Sequence, residues 1–586
     1  MLFFRALLAA CLIFPGTSSA LAATPPCGDR FTPIHAVQGS GARSPLEGKL
    51  VTVEGILTLD SRNPGEFQGF YLQQADNETD DDPDTSEALF VYTRRSAGSP
   101  GKRLRVTGRV REFHGLTELA DINSLRVCQD APMPRPVTLS AQDPGRFEAF
   151  ENMRVDVPAA MTVLDTRNLA RYGEVTLGST DTIVPTEYLP PGPSAARKLA
   201  SIHNGQLVLD DGRAVRQPRP IPWLGDPGHG RATLRSGDTL QDLGGILDFR
   251  FKRWRLQPIG TPNLARTNPR YPPPARPPGE KTVRVVALNL NNFFNGDGQG
   301  GGFPTARGAR SESELQKQQK RLVTALGQSD GDILAVTELE NDGYGANSAI
   351  NQLGHALGPA WDFVRTPGRD GSDAIRTALL YRADRVVPTG RPQRLTSGPF
   401  RDWGRPPVTQ SFRRLGGQPS VRIVVVHFKS KSCRHAEGAD RDQNDGQGCF
   451  AHRRTREAKA VTAWLDDLPP ETDTSGTLVT GDFNSYSRET PLTVFRERGY
   501  RNEVAHRHPC KPEDCDHYTY RFRGLKGSLD HALVSPGLKA RVIGTATWLI
   551  NADEPPALGY RGVAADRVDG PWRSSDHNPV ITDLRL

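Results

Sequence analysis

From residue 281 to the C-terminus, short apolar runs recur, each with a chemically competent polar side chain at one end. Residues 283–288 lead to Asn289, 333–336 to Thr337-Glu338, 421–426 to His427, and 477–479 to Gly481-Asp482-Phe483-Asn484. In two further cases the polar pair comes first: Asp530-His531 precedes 532–534, and Asp576-His577 precedes 580–581. Such runs, bounded by polar, Gly-containing segments, read as buried strands. Helical patterns lie between them. Ser311-Glu312-Ser313-Glu314 is a capping box, with Leu315, Leu322 and Leu326 on one face before Gly327 stops the helix. Residues 454–465 form a second amphipathic pattern. Strands alternating with helices argue an α/β domain. Polar tips of buried strands converge at one end of a sheet, where rigidly held catalytic groups collect.

The residue types define the chemistry. Carboxylate and amide oxygens are hard ligands that suit Mg²⁺, Mn²⁺ or Ca²⁺ better than zinc. The order Asn289, Glu338, His427, Asp482-x-Asn484, Asp530, Asp576-His577 resembles the signature of the endonuclease/exonuclease/phosphatase superfamily, which includes pancreatic deoxyribonuclease and abasic-site endonucleases. More locally, residues 337–345 (TELENDGYG), 427–431 (HFKSK) and 445–449 (DGQGC) resemble the secreted bacterial nucleases of that superfamily. The resemblance implies an α/β fold class: a C-terminal four-layer sandwich of two mixed sheets between helices, preceded by β-rich domains similar to an oligonucleotide/oligosaccharide-binding (OB) barrel.

It also implies roles. Asn289, Glu338 and Asp576 would hold a divalent metal, Mg²⁺ or Mn²⁺, with Ca²⁺ allowed. Asp482 would orient or deprotonate the attacking water, and Asn484 would hold a phosphate oxygen. Asp530 would orient His577, and His427 would act across the site as an acid or phosphate donor. Asp373 matches a polar position of the secreted nucleases. Lys429 and Lys431 alternate and so would offer one cationic face to a phosphate backbone. Arg454, opening a helix, is a further candidate phosphate contact. His531 follows Asp530 along a strand, points to the opposite face and reads as structural. Tyr518 and Tyr520 read as packing groups.

The ends and the cysteines indicate export. Residues 1–22 have the pattern of a secretory signal: Arg5, an apolar core over 6–14, and Ala20-Leu21-Ala22 before the cleavage point. No later run approaches the ~18 apolar residues of a membrane span. Of the 7 cysteines, Cys11 falls in the signal. The others are favoured as Cys27–Cys128, Cys433–Cys449 and Cys510–Cys515, each within one domain, as an oxidising compartment permits. A zinc site is disfavoured because no CxxC pair occurs. The net charge of +7 suits a polyanionic substrate, though arginine-rich composition explains it equally well.

The expected organisation is a signal peptide at 1–22, an OB-like barrel at 23–132, a second β-rich domain at 133–262, a Pro-rich spacer at 263–280 and the catalytic domain at 281–586. In the barrel, Phe70, Tyr71, Phe90 and Tyr92 are candidates for stacking on single-stranded bases, though aromatics in strands are more often core. The acidic loop 76–84 lacks EF-hand spacing and reads as a solvated hairpin tip. The chain as a whole reads as a secreted, monomeric, metal-dependent phosphodiesterase that hydrolyses extracellular DNA, with RNA left open as a further substrate. A sphingomyelinase-type phospholipase and a non-catalytic matrix-binding protein are the competing readings. The first is disfavoured because no aromatic-rich loop occurs within 281–586. The second is disfavoured because every expected catalytic position carries a competent side chain.

Overall fold

The computed structural model describes residues 27–586 except 81, 141–142, 225–233, 280, 297–301, 368–369, 402–403 and 470–472. The expected export signal at 1–22 lies outside the described residues.

Two six-stranded sheets form the middle of the C-terminal half. The first runs in the order Trp361–Phe363, Ile375–Arg382, Ile333–Glu340, Thr282–Phe293, Val580–Arg585, Val542–Thr547. The second runs Val386–Arg394, Val408–Arg414, Ser420–His427, Thr474–Asp482, Asp530–Val534, Arg501–Asn502. Strand alternation assigns the layers. Val283, Val285 and Ala287 meet Val421, Ile423 and Val425 in the core between the sheets. Val286, Leu288 and Leu290 face outward onto Leu315, Leu322 and Leu326 of the helix Glu312–Gln328. On the far side, Val424 and Val426 pack on Ala458, Val461 and Leu465 of the helix Ala451–Asp467. The result is helix, sheet, sheet, helix, with both faces of each central strand dry. That burial is why these strands read as continuous apolar runs.

In each sheet the two central strands run parallel, joined by one of these helices, so their carboxyl ends fall together. Asn289 pairs with Thr337, beside Glu338, and His427 pairs with Asp482. The antiparallel strand Asp530–Val534 then sets Asp530 opposite Asp482. At the first helix, Ser311 Oγ accepts from Glu314 N at 3.3 Å as a capping box requires, and the Glu314 carboxylate takes Arg310 N at 2.7 Å. Gly327 lies inside the helix rather than ending it.

Ahead of the sandwich stand a closed five-stranded barrel and a nine-stranded sheet. The barrel strands are Leu50–Ser61, Gly69–Gln73, Ala88–Tyr92, Lys102–Phe113 and Leu116–Asp130. Three of the four candidate stacking aromatics are unavailable: Phe70, Tyr71 and Phe90 are fully buried, and only Tyr92 is exposed. Tyr71 donates to Asp248 of the next sheet at 2.6 Å. Apolar strand residues were drawn into the barrel core and its seam with the neighbouring sheet.

The middle sheet is docked on the sandwich. Arg521 reaches Asp181 at 2.6 and 2.9 Å and Asp553 at 2.6 Å, all in buried or half-buried surroundings. Arg235, also of the middle region, pairs with Glu554 at 2.9 Å. The Pro-rich segment is likewise tied down. Arg270 pairs with Glu554 at 2.7 Å, Arg276 with Asp332 at 2.5 Å, and Tyr271 accepts from Trp548 Nε1. The disulfides are Cys27–Cys128, Cys433–Cys449 and Cys510–Cys515. No helix among the described residues is long and apolar enough to cross a membrane.

Candidate active site

The strand ends bring the polar residues to one rim shared by both sheets. His577 Nδ1 lies 2.7 Å from Asp530 Oδ2. Asn289 Nδ2 donates to Asp482 Oδ2 at 3.2 Å, and His427 Nε2 lies 3.4 Å from the same oxygen. Asn484, at positive φ, donates from its backbone to Asp482 Oδ1 at 2.8 Å and from its side chain to Phe428 O at 3.0 Å. His427, Asp482, Asp530 and His577 are all buried.

The loop carrying His577 is fixed by amides. Asn551 donates to His577 O at 2.6 Å, Asn578 donates to Tyr518 O at 3.1 Å, and Ser575 Oγ donates to Asn289 O at 2.6 Å. Thr519 Oγ1 accepts from Asp530 N at 3.1 Å. The Tyr520 ring packs on the His577 ring, centroids 4.6 Å apart.

The electrostatics separate the two imidazoles. Burial pushes His427 well below its ordinary value, helped by Arg405, His577 and Arg307, so it is neutral. Burial would also lower His577, but Asp530, through charge and hydrogen bond, and then Asp482 and Asp576, raise it well above the ordinary value. Asp482 is raised to about 7, first by burial and then by repulsion from Asp530.

Glu338 is raised by burial and then by repulsion from Asp576, with the Asn289 amide opposing. It also holds a left-handed backbone, φ +56°, which a non-glycine residue adopts at a cost. Carboxylates crowded at a buried rim, with an amide oxygen beside them, form a donor set that fits a hard divalent cation. Asp482, Asp530 and His577 also lie close enough together to hold an ion. Within that group His577 Nδ1 and Asp530 Oδ2 share a hydrogen bond of 2.7 Å.

Two expected phosphate contacts are corrected. Lys431 is engaged within the protein. Its ammonium lies 2.6 Å from both oxygens of buried Glu489 and 2.7 Å from Gln447 O, which uses its three donors. Arg454 is wholly buried and donates to Cys449 O at 2.7 Å, Gln447 O at 3.0 Å and Ser485 Oγ at 3.2 Å. Both hold the Cys433–Cys449 loop in place, because Glu489 sits beneath it, which no local motif reveals. Lys429 stays half-exposed, its ammonium 4.7 Å from the Phe450 ring. Asp373 pairs with Arg307 at 2.9 Å. A carboxylate offers a phosphate no donor, so Asp373 aims that guanidinium.

Two site residues had no signal in the sequence. Arg307, from a Gly-rich loop, and Arg405, after a loop between strands, both bear electrostatically on His427. Arg405 also donates to Phe428 O.

This rim gathers oxygen donors that fit a hard metal, an Asp–His pair and basic side chains around them. Residues 286–577 match the Endonuclease/Exonuclease/phosphatase family, and the chain carries a domain of that family, whose members are generally hydrolases of phosphoester bonds and commonly use divalent ions. Among solved structures, it is similar to a mannosyl-6-phosphatase of Bacteroides thetaiotaomicron VPI-5482 at 17% identity, covering 52% of this chain and 100% of that one, TM-score 0.35. The human Nocturnin catalytic domain is similar at 15% identity, covering 52% and 93%, TM-score 0.34. A humanized D. rerio TDP2 is similar at 13%, covering 52% and 100%, TM-score 0.34. No curated protein matches the chain.

Proposed function

We propose that this chain is an exported, monomeric, metal-dependent phosphodiesterase that hydrolyses DNA, with RNA a further candidate substrate. The observation that carries the reading is the 2.7 Å Asp530–His577 bond at the rim where Asn289, Glu338, His427 and Asp482 gather. Phosphodiester hydrolysis needs an in-line nucleophile, neutralised phosphoryl oxygens and an acid for the leaving oxygen. A divalent cation, Mg²⁺ or Mn²⁺ with Ca²⁺ tolerated, supplies the neutralisation when held by Asn289, Glu338 and Asp576. Asp482 orients the attacking water. Asn484 keeps one amide N–H for a phosphate oxygen, since the other is taken by Phe428 O. Asp530 fixes the His577 ring so that its Nε2 faces the phosphoryl group. Neutral His427 offers a donor from across the site.

Arg307, aimed by Asp373, together with Arg405 and Lys429 contributes the basic frame that a polyanion needs. Export is supported by the N-terminal pattern and by disulfides that use every cysteine from Cys27 onward.

The test is incubation of the purified protein with plasmid DNA, RNA and sphingomyelin vesicles. Cleavage of DNA is expected, and the RNA arm shows whether the activity extends to it. Turnover of vesicles with intact nucleic acids contradicts the reading.

A further inference from the structure

A short hairpin joins the active site to the middle domain. Its strands are Tyr520–Phe522 and Leu525–Gly527, closed by Arg523-Gly524, both at positive φ as a tight two-residue turn demands. The middle domain grips this hairpin. A Cβ on Gly524 would meet Leu164 Cβ at 2.8 Å, so only glycine lets the tip sit there. Lys526 N donates to Thr182 O at 3.0 Å, Val184 N to Lys526 O at 3.0 Å, and Asp181 binds both Arg521 and Lys526.

The hairpin's other side carries Tyr520 against His577. Side chains alternate along a strand, so Tyr520 and Phe522 share the face opposite Arg521. Tyr520 packs on His577. Phe522 lies about 6.8 Å further along the same face. It is 47% exposed, although it stands on a hairpin that is otherwise clamped. Two guanidiniums approach its ring: Arg523 at 5.3 Å, and Arg167 of the middle domain at 5.7 Å. Both arginines are exposed.

We propose that Phe522, Arg523 and Arg167 form a subsite for the nucleotide next to the scissile phosphate, with an unpaired base stacked on the aromatic–guanidinium surface and its phosphate held by the arginines. An aromatic ring beside guanidinium groups is the chemistry that binds single strands without reading sequence. A base inside a duplex has its faces already stacked and cannot use the platform. The inference rests on the nuclease reading and adds to it a preference for unpaired strands and a binding role for the middle domain.

The experiment compares wild type, Phe522→Leu, Phe522→Trp and Arg167→Ala on a fluorescent single-stranded oligonucleotide, a hairpin duplex of the same sequence, and bis-p-nitrophenyl phosphate. Equal melting temperatures check the fold of each variant. Phe522→Leu and Arg167→Ala are expected to raise KM for the single strand roughly ten- to a hundredfold, the worth of one stacked base, with kcat much less affected. The ratio of single-strand to small-diester kcat/KM should fall accordingly, and Phe522→Trp should restore it. An unchanged KM, or equal losses on single strand and duplex, overturns the platform while leaving the nuclease reading intact. Wild-type protein that hydrolyses neither the oligonucleotide nor the small diester overturns the nuclease reading and the platform with it.

Discussion

His577 and Asp530 belong to different sheets of the sandwich, yet their side chains meet at 2.7 Å across the rim. His577 precedes the strand Val580–Arg585 of the first sheet, and Asp530 opens Asp530–Val534 of the second. Asn289 and Asp482 repeat the relationship at 3.2 Å. The geometry of the rim therefore depends on how the two sheets pack through the apolar core between them.

Because the pair acts as a unit, its mutations should not add. Asp530→Asn changes the bond that fixes the ring and should lower kcat on the order of a thousandfold with the fold intact. His577→Ala should cost about as much, and the double variant little more. Steady-state kinetics with a DNA-binding measurement checks this. Fully additive losses, or lost binding at low salt, contradict the pairing.

Docking of the middle domain should weaken as pH rises. Glu187, from the middle domain, is buried against Ser487 and Ser528 of the sandwich. Burial, with repulsion from Glu489, lifts its pKa from 4.5 to about 7. The fold favours the acid form, so this contribution is complete below pH 4.5 and is lost as pH climbs through about 7. Glu187→Gln mimics the acid form and should remove that slope. Thermal melting from acid to neutral pH should find wild type losing up to about 3 kcal/mol relative to the variant. Parallel profiles would refute the assignment.

The Cys433–Cys449 bridge closes a loop of sequence separation 16 whose Asp445 carbonyl receives Gly192 N of the middle domain at 2.8 Å. Opening it with Cys433→Ala/Cys449→Ala should cost about 3 kcal/mol of stability. It should also slow turnover, since Lys431 and Arg454 hold this loop beside Lys429. Unchanged melting and kinetics would show the bridge to be dispensable.

Much of the sandwich was legible because its strands are dry on both faces and so leave continuous apolar runs, each stopped where the chain reaches the rim. The Ser311 cap and the helix after Phe450 were legible from local chemistry. The strand Leu116–Asp130 is harder to read, because its second half is largely exposed and carries no regular apolar alternation. Lys431 and Arg454 misled for a different reason. A cation beside a site looks the same in sequence whether it faces phosphate or a buried carboxylate, and Glu489 lies 58 residues from Lys431. Docking through Asp181, Glu187 and Asp553 was equally hidden, since its partners come from regions with no shared motif.

The most direct test is cleavage of supercoiled plasmid DNA by protein dialysed against EDTA, with Mg²⁺ or Mn²⁺ then restored stepwise, for wild type and Glu338→Gln side by side. The account predicts no cleavage without metal, full recovery by wild type, and none by Glu338→Gln over the same metal range. Cleavage that survives chelation, or a Glu338→Gln enzyme that recovers alongside wild type, would contradict it.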